Sequence, residues 1–106
     1  MSSSVTLFAM DRREYKVQIT VNNRSIHKVV IDPHYEVRHR ESVDDHTILA
    51  LVKQLDGRKF LPVKQQEQFE YFVEDKMMLN KKLYKLVWLL HDDEIFIGVV
   101  NCYRRD

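Results

Sequence analysis

Period-two alternation dominates the first third of the chain. In YKVQITV the apolar side chains Val17, Ile19 and Val21 fall on one face, and SIHKVVI is β-branched at a similar density. The alternation predicts half-buried strands at roughly 14–21 and 25–31. Between them Asn22-Asn23 tolerates positive φ and predicts a hairpin turn. Asp32-Pro33 ends the second strand, because proline lacks a ladder donor and holds its predecessor extended. Ahead of the hairpin, Ser2–Ser4 read as a frayed start. Val5–Met10 read as a short strand or as part of a helical N-terminus.

The period then changes. In SVDDHTILALVKQLDG, Ile48, Leu51, Val52 and Leu55 recur at i, i+3, i+4 and i+7, one apolar stripe of an amphipathic helix over 42–56. Ser42 or Asp44 is positioned to cap it, and Asp44 and Asp45 suit the positive end of the helix dipole. Gly57 stands where a left-handed terminator belongs.

Beyond the helix the chain returns to strand. FLPV reads as a short edge segment because of Pro62. FEYFVED alternates Phe69, Tyr71 and Val73 and runs on through MML to a turn at Asn80-Lys81. LYKLVWLL and IFIGVVNCY are denser in apolar residues, as in strands buried on both faces or packed beneath a helix. His91-Asp92-Asp93-Glu94 reads as the polar loop between them. The expected architecture is α+β in a single domain, 1–106. A hairpin at 14–31 precedes an antiparallel sheet whose meander spans 66–105, and the principal helix packs on one face.

Composition narrows the function classes only slightly. Seventeen basic and sixteen acidic side chains leave a formal charge of +1, so any attraction to nucleic acid must come from local clustering. With two glycines, the chain cannot build a phosphate-cradling loop. One cysteine, Cys102, excludes a disulfide framework and a cysteine-rich zinc site, and its apolar setting reads as a buried small hydrophobe. No histidine pair has metal-binding spacing on a helix, and the 91–94 loop lacks calcium-loop spacing. No metal or cofactor is expected. MSSSVTLFAMDRRE has neither a basic leader nor a long apolar core, and no run reaches the ~20 apolar residues of a membrane span. A cytoplasmic setting with no membrane partner follows as the expectation.

What remains is acid–base chemistry assisted by cations, and it concentrates in PHYEVRHRES, Pro33–Ser42. In extended geometry His34, Glu36, Arg38 and Arg40 share a face, whereas in a helix His34 and Arg38 meet at i, i+4. Either arrangement pairs an imidazole with a guanidinium, and His39 lies close in sequence. A histidine titrating near neutrality moves a proton, and an arginine neutralises charge on phosphoryl oxygens. The same patch also reads as a charged surface connector. Two further basic spots are Arg58-Lys59, after the helix, and the closing NCYRRD. Each has a bland alternative, a helix end complemented by positive charge and a solubilising tail. If the last strand lay beside the helix start, one groove would hold His34, Arg38, Lys59, Tyr103 and Arg104.

The order of these features resembles the small ribonuclease toxins of the barnase/EndoU/colicin/RelE group. The resemblance rests on His34, Arg38, Ser42 with Asp44–Leu55, and Val99-Val100-Asn101-Cys102-Tyr103-Arg104, and covers about 30–105. It implies a helix-on-antiparallel-sheet fold and metal-independent RNA cleavage. A base would activate the ribose 2′-hydroxyl while cations hold the phosphate. His34, Arg38, His39 and Tyr103 are then the catalytic candidates, with Arg40, Lys59 and Arg104 as RNA-phosphate ligands. The resemblance also implies a protein antidote that occludes the groove. Two features depart from the group: the near-neutral charge, and a hairpin that precedes the matching segment. The competing reading is a non-catalytic interaction module, an accessory or antidote-like partner of a phage or mobile-element system. Its available sheet edge would serve a partner strand or a homodimer rather than a monomer. The acidic first turn of the helix fits DNA major-groove reading poorly.

Overall fold

The computed structural model describes residues 13–31 and 43–105. Strands β1 (Arg13–Val21) and β2 (Arg24–Ile31) pair antiparallel across Asn22 and Asn23, whose φ angles are 54° and 63°. Asparagine accommodates this left-handed region at little cost, and two such residues in succession match the twist of the strands they join. Val5–Met10 and the Asp32-Pro33 break lie outside the described residues.

Helix α1 spans Asp45–Lys53, shorter at both ends than the expected 42–56. Asp44 is its N-cap: the carboxylate accepts from the Thr47 backbone N–H and hydroxyl, both at 2.9 Å. Ser42, the alternative cap, lies outside the described residues. After α1 the chain tightens through 3₁₀-like turns to Gly57, whose φ is 77°. There it docks on β1. Gly57 N donates to Thr20 O at 2.6 Å, Asn22 N donates to Arg58 O at 3.0 Å, and Val21 bridges Arg58. These bonds close the end of an edge strand that would otherwise present unpaired backbone groups.

Four more strands follow: β3 (Lys64–Gln66), β4 (Phe69–Leu79), β5 (Lys82–His91) and β6 (Phe96–Arg104). The spatial order is β1-β2-β6-β5-β4-β3, one six-stranded sheet. The expectation of an antiparallel sheet needs correction, because β2 and β6 run parallel, Lys28 opposite Phe96 through Ile31 opposite Val99. Their sequences fit that role. Val29, Val30 and Ile31 are buried in succession, as are Ile97, Gly98 and Val99, the signature of strands covered on both faces. The short edge segment is also displaced. FLPV forms no strand of its own, although Val63 N donates to Tyr71 O at 2.8 Å, and Lys64–Gln66 forms the outer strand instead.

One face of the sheet shares its core with α1. Ile48, Leu51, Val52 and Leu55 join Ile26, Ile31, Phe72, Leu86, Trp88, Leu90, Ile97, Val99 and Cys102 in a single apolar cluster. Trp88 stacks on Phe72 at 4.2 Å and meets Phe60 edge-on at 5.3 Å. The opposite face carries one row across all six strands: Glu14, Val30, Gly98, Leu89, Tyr71 and Lys64. Val30 and Leu89 are buried yet stand apart from the core cluster.

Candidate functional site

Of the residues singled out from sequence, His34, Arg38, His39 and Arg40 lie outside the described residues. Tyr103 and Arg104 close β6, opposite Lys85 and Tyr84 of β5. Lys85 and Tyr103 share the outer face, with the Lys85 ammonium 5.8 Å from the centre of the Tyr103 ring. Asn101 lies on the same face opposite Val87, because a one-residue bulge between Val99 and Asn101 resets the alternation. Cys102 points into the core, where burial pushes its thiol up to about 12, far from a reactive thiolate.

Lys59 belongs to a different neighbourhood. Asn22 grips the chain on its far side, accepting from Phe60 N at 2.6 Å and donating to Phe60 O at 3.1 Å. The exposed Lys59 therefore sits beside the β1–β2 turn, at the end of the strands opposite to Tyr103. Its neighbour Arg58 lies 4.9 Å from the centre of the Phe60 ring and draws down the Glu74 carboxyl, which burial holds above its usual range.

The helix start has its own polar cluster. Arg13 grips Asp45 through two bonds, Nε to Oδ2 at 2.6 Å and Nη2 to Oδ1 at 2.9 Å, and the Tyr15 hydroxyl donates to the same carboxylate. This hydrogen bond, aided by burial and by the Asp45 charge, raises the Tyr15 phenol above its ordinary value. Asp44 is lowered, chiefly because the Thr47 N–H hydrogen-bonds its charged form. In the described residues the first turn of α1 is thus tied to β1 rather than to β6.

Two features near the β5–β6 loop escape local sequence reading. The first is an aromatic chain near the start of β6: His91 lies 6.3 Å from Phe96 and 5.1 Å from Phe69, which lies 6.4 Å from Tyr71. Lys64 of β3 completes it, its ammonium 5.0 Å from the centre of the Tyr71 ring. The second is Arg24, whose Nη2 donates to three carbonyls, His91 O at 2.5 Å, Glu94 O at 2.8 Å and Asp92 O at 3.2 Å. This single cation shapes the β5–β6 loop. Phe69 and Tyr71 were visible as alternating positions, but their meeting with His91 and Phe96 depends on register.

Among the described residues, no three His, Cys, Asp or Glu side chains come together as a metal-binding group. None of their helices is long and apolar enough to cross a membrane. No protein-family model, no curated protein and no solved structure matches the chain.

Proposed function

We propose that this protein is a small, metal-independent endoribonuclease of toxin type. His34 or His39 takes the proton of a ribose 2′-hydroxyl, and the 2′-oxygen attacks the adjacent phosphorus. The bond from phosphorus to the 5′-oxygen breaks, and that oxygen leaves with a proton from an acid, Tyr103 or the second histidine. The products are a 2′,3′-cyclic phosphate and a 5′-hydroxyl. Arg38 and Arg104 neutralise the charge that builds on the phosphoryl oxygens, and Arg40 holds flanking phosphate. Lys59, near the β1–β2 turn, is confined to an outlying phosphate.

The observation that carries this reading is the close of β6. Tyr103 shares the outer face with Lys85, and Arg104 and Arg105 follow directly in the chain. A phenol beside an ammonium is suited to orient a phosphodiester and to hand over a proton. The test is incubation of purified protein with total RNA in EDTA, beside a His34→Ala, Arg38→Ala double variant. Cleavage by the parent and its loss in the variant support the reading, and equal inactivity of both removes it.

A second reading, the non-catalytic interaction module, has one specific observation in its favour. Leu61 and Val63 flank Pro62 at 90% and 64% exposure, next to the short edge strand β3. Exposed aliphatic side chains at a sheet edge suit a partner protein or a second copy of the chain. Light scattering after size exclusion separates monomer from dimer, and a dimer that dissociates on Leu61→Asp favours this reading.

A further inference from the structure

We propose that the outer face of the sheet is a stacking platform for single-stranded RNA. Bases lie on Phe69, Tyr71, His91 and Phe96, and the backbone runs along β5 toward Lys85 and Tyr103. That the polynucleotide is RNA rests on the ribonuclease reading above; the platform itself rests on the register of the sheet.

Phe69 faces His91, Tyr71 faces Leu89 and Lys64 faces Tyr71, so their side chains emerge on the face opposite the helix. All four rings keep part of their surface in solvent. A set of rings linked at 5.1 to 6.4 Å is more than the core requires, because the core is already closed by Trp88 and Phe72 on the other side. Half-exposed aromatic rings on a strand surface offer flat faces to unpaired bases, and each base so stacked contributes substantially to affinity.

Charge selects the same ligand. Among the described residues the paired registers of this face bring out Lys16, Lys64 and Lys85, while Lys28 pairs with Glu14 at 3.3 Å, although the chain as a whole is nearly neutral. Lysines alone would suit any polyanion. Lysines interleaved with partly exposed rings suit one whose bases are free to stack, which excludes a duplex with its bases already stacked on each other. The acidic loop Asp92, Asp93, Glu94 borders the platform and repels phosphate, so the strand leaves in the other direction. From His91 to Lys85 is six residues, about 20 Å of strand. That path ends at Tyr103, where cleavage is proposed.

The rim is also pre-organised. Arg24 fixes the loop through its three carbonyl contacts, and Asp93 N donates to His91 Nδ1 at 3.1 Å, orienting the imidazole. A platform held in place before binding loses less entropy when the ligand arrives.

The test uses single-stranded RNA bearing 2′-O-methyl ribose, which lacks the nucleophilic hydroxyl and so reports binding without cleavage. Fluorescence anisotropy is measured for the full chain and for Phe69→Ala, Tyr71→Ala, Tyr71→Phe and Lys64→Ala. Each alanine variant at a ring weakens binding on the order of tenfold, and Tyr71→Phe restores it. Lys64→Ala lowers the slope of log affinity against log salt by about 0.7, one phosphate contact on a single strand. The platform is overturned if the ring variants bind like the parent, or if duplex RNA or poly-glutamate competes as well as the single strand. The two proposals fail separately. Cleavage of unmodified RNA that is indifferent to Phe69 and Tyr71 leaves the enzyme and removes the platform. Ring-dependent binding with no cleavage does the reverse.

Discussion

Leu89 lies across the sheet from Gly98, so close that a Cβ on Gly98 would come within 2.8 Å of Leu89 Cδ1 and 3.1 Å of its Cγ. The missing side chain lets Leu89 lie down between β5 and β6, where it is 3% exposed although it belongs to the outer face. Gly98→Ala displaces Leu89 and is expected to cost ~1–3 kcal/mol, the range for overpacking. Urea unfolding measures it. In a Leu89→Ala background the same change costs distinctly less, because the colliding atoms are gone; equal costs in both backgrounds contradict the packing.

The clamp between α1 and β1 is expected to show in the pH dependence of stability. Tyr15 is raised above its ordinary value of 10.0 by its bond to Asp45, so the folded state favours the neutral phenol. Its contribution is complete below pH 10 and is lost as pH rises through the higher folded value. Asp44 is lowered from 3.8, so its contribution is present above that value and is lost as pH falls through the lower folded one. Chemical unfolding across pH 2–5 and 9–11 reads both windows. Tyr15→Phe is expected to shrink the alkaline limb, whose remainder comes from Cys102, raised from 9.0 to about 12, and Asp44→Ala is expected to flatten the acid limb. Asp44→Ala also removes an N-cap, at ~1 kcal/mol near neutrality.

Trp88 separates packing from hydrogen bonding. It is fully buried, and among the described residues its Nε1 finds no hydrogen-bond partner. Trp88→Phe therefore breaks no hydrogen bond and loses only volume, whereas Trp88→Ala is expected to cost about 3–5 kcal/mol. Thermal or urea denaturation of the two variants gives the ratio. A phenylalanine variant as damaged as the alanine one means that the indole N–H is engaged after all.

The state of Cys102 is directly measurable. With its thiol pushed up to about 12 and no exposed surface, it is expected to ignore Ellman's reagent in native protein at pH 8. It reacts once the protein is unfolded. Rapid native labelling contradicts its place in the core.

These expectations were unevenly legible in the sequence. The apolar stripe from Ile48 to Leu55 marks a helix because 3.6-residue periodicity is local, and Phe69, Tyr71 and Val73 alternate visibly for the same reason. The parallel pairing of β2 with β6 is not local. It joins Lys28 to Phe96, and nothing within either strand names its partner. The double-faced burial of VVI and IGV was the available sign, and it signals coverage rather than direction. The site divides along the same line. Tyr103 and Arg104 stand out as polar residues ending an apolar strand. Lys85 reads as an ordinary lysine until register sets it opposite Tyr103. Likewise Arg24 acquires a role only when the 91–94 loop folds back on it. The groove imagined at the helix start drew Lys59 toward Tyr103, but Asn22 anchors the 58–60 segment to the β1–β2 turn.

The most direct test of the ribonuclease reading is the chemistry of the ends it leaves on RNA. Synthetic single-stranded RNA is incubated with the parent protein and with Tyr103→Phe and Arg104→Ala, all in EDTA, and the products are read by mass spectrometry. The account predicts 2′,3′-cyclic phosphate and 5′-hydroxyl ends from the parent, with a loss of at least tenfold in rate in each variant. Intact RNA in every sample, or fragments with 3′-hydroxyl and 5′-phosphate ends, contradicts it.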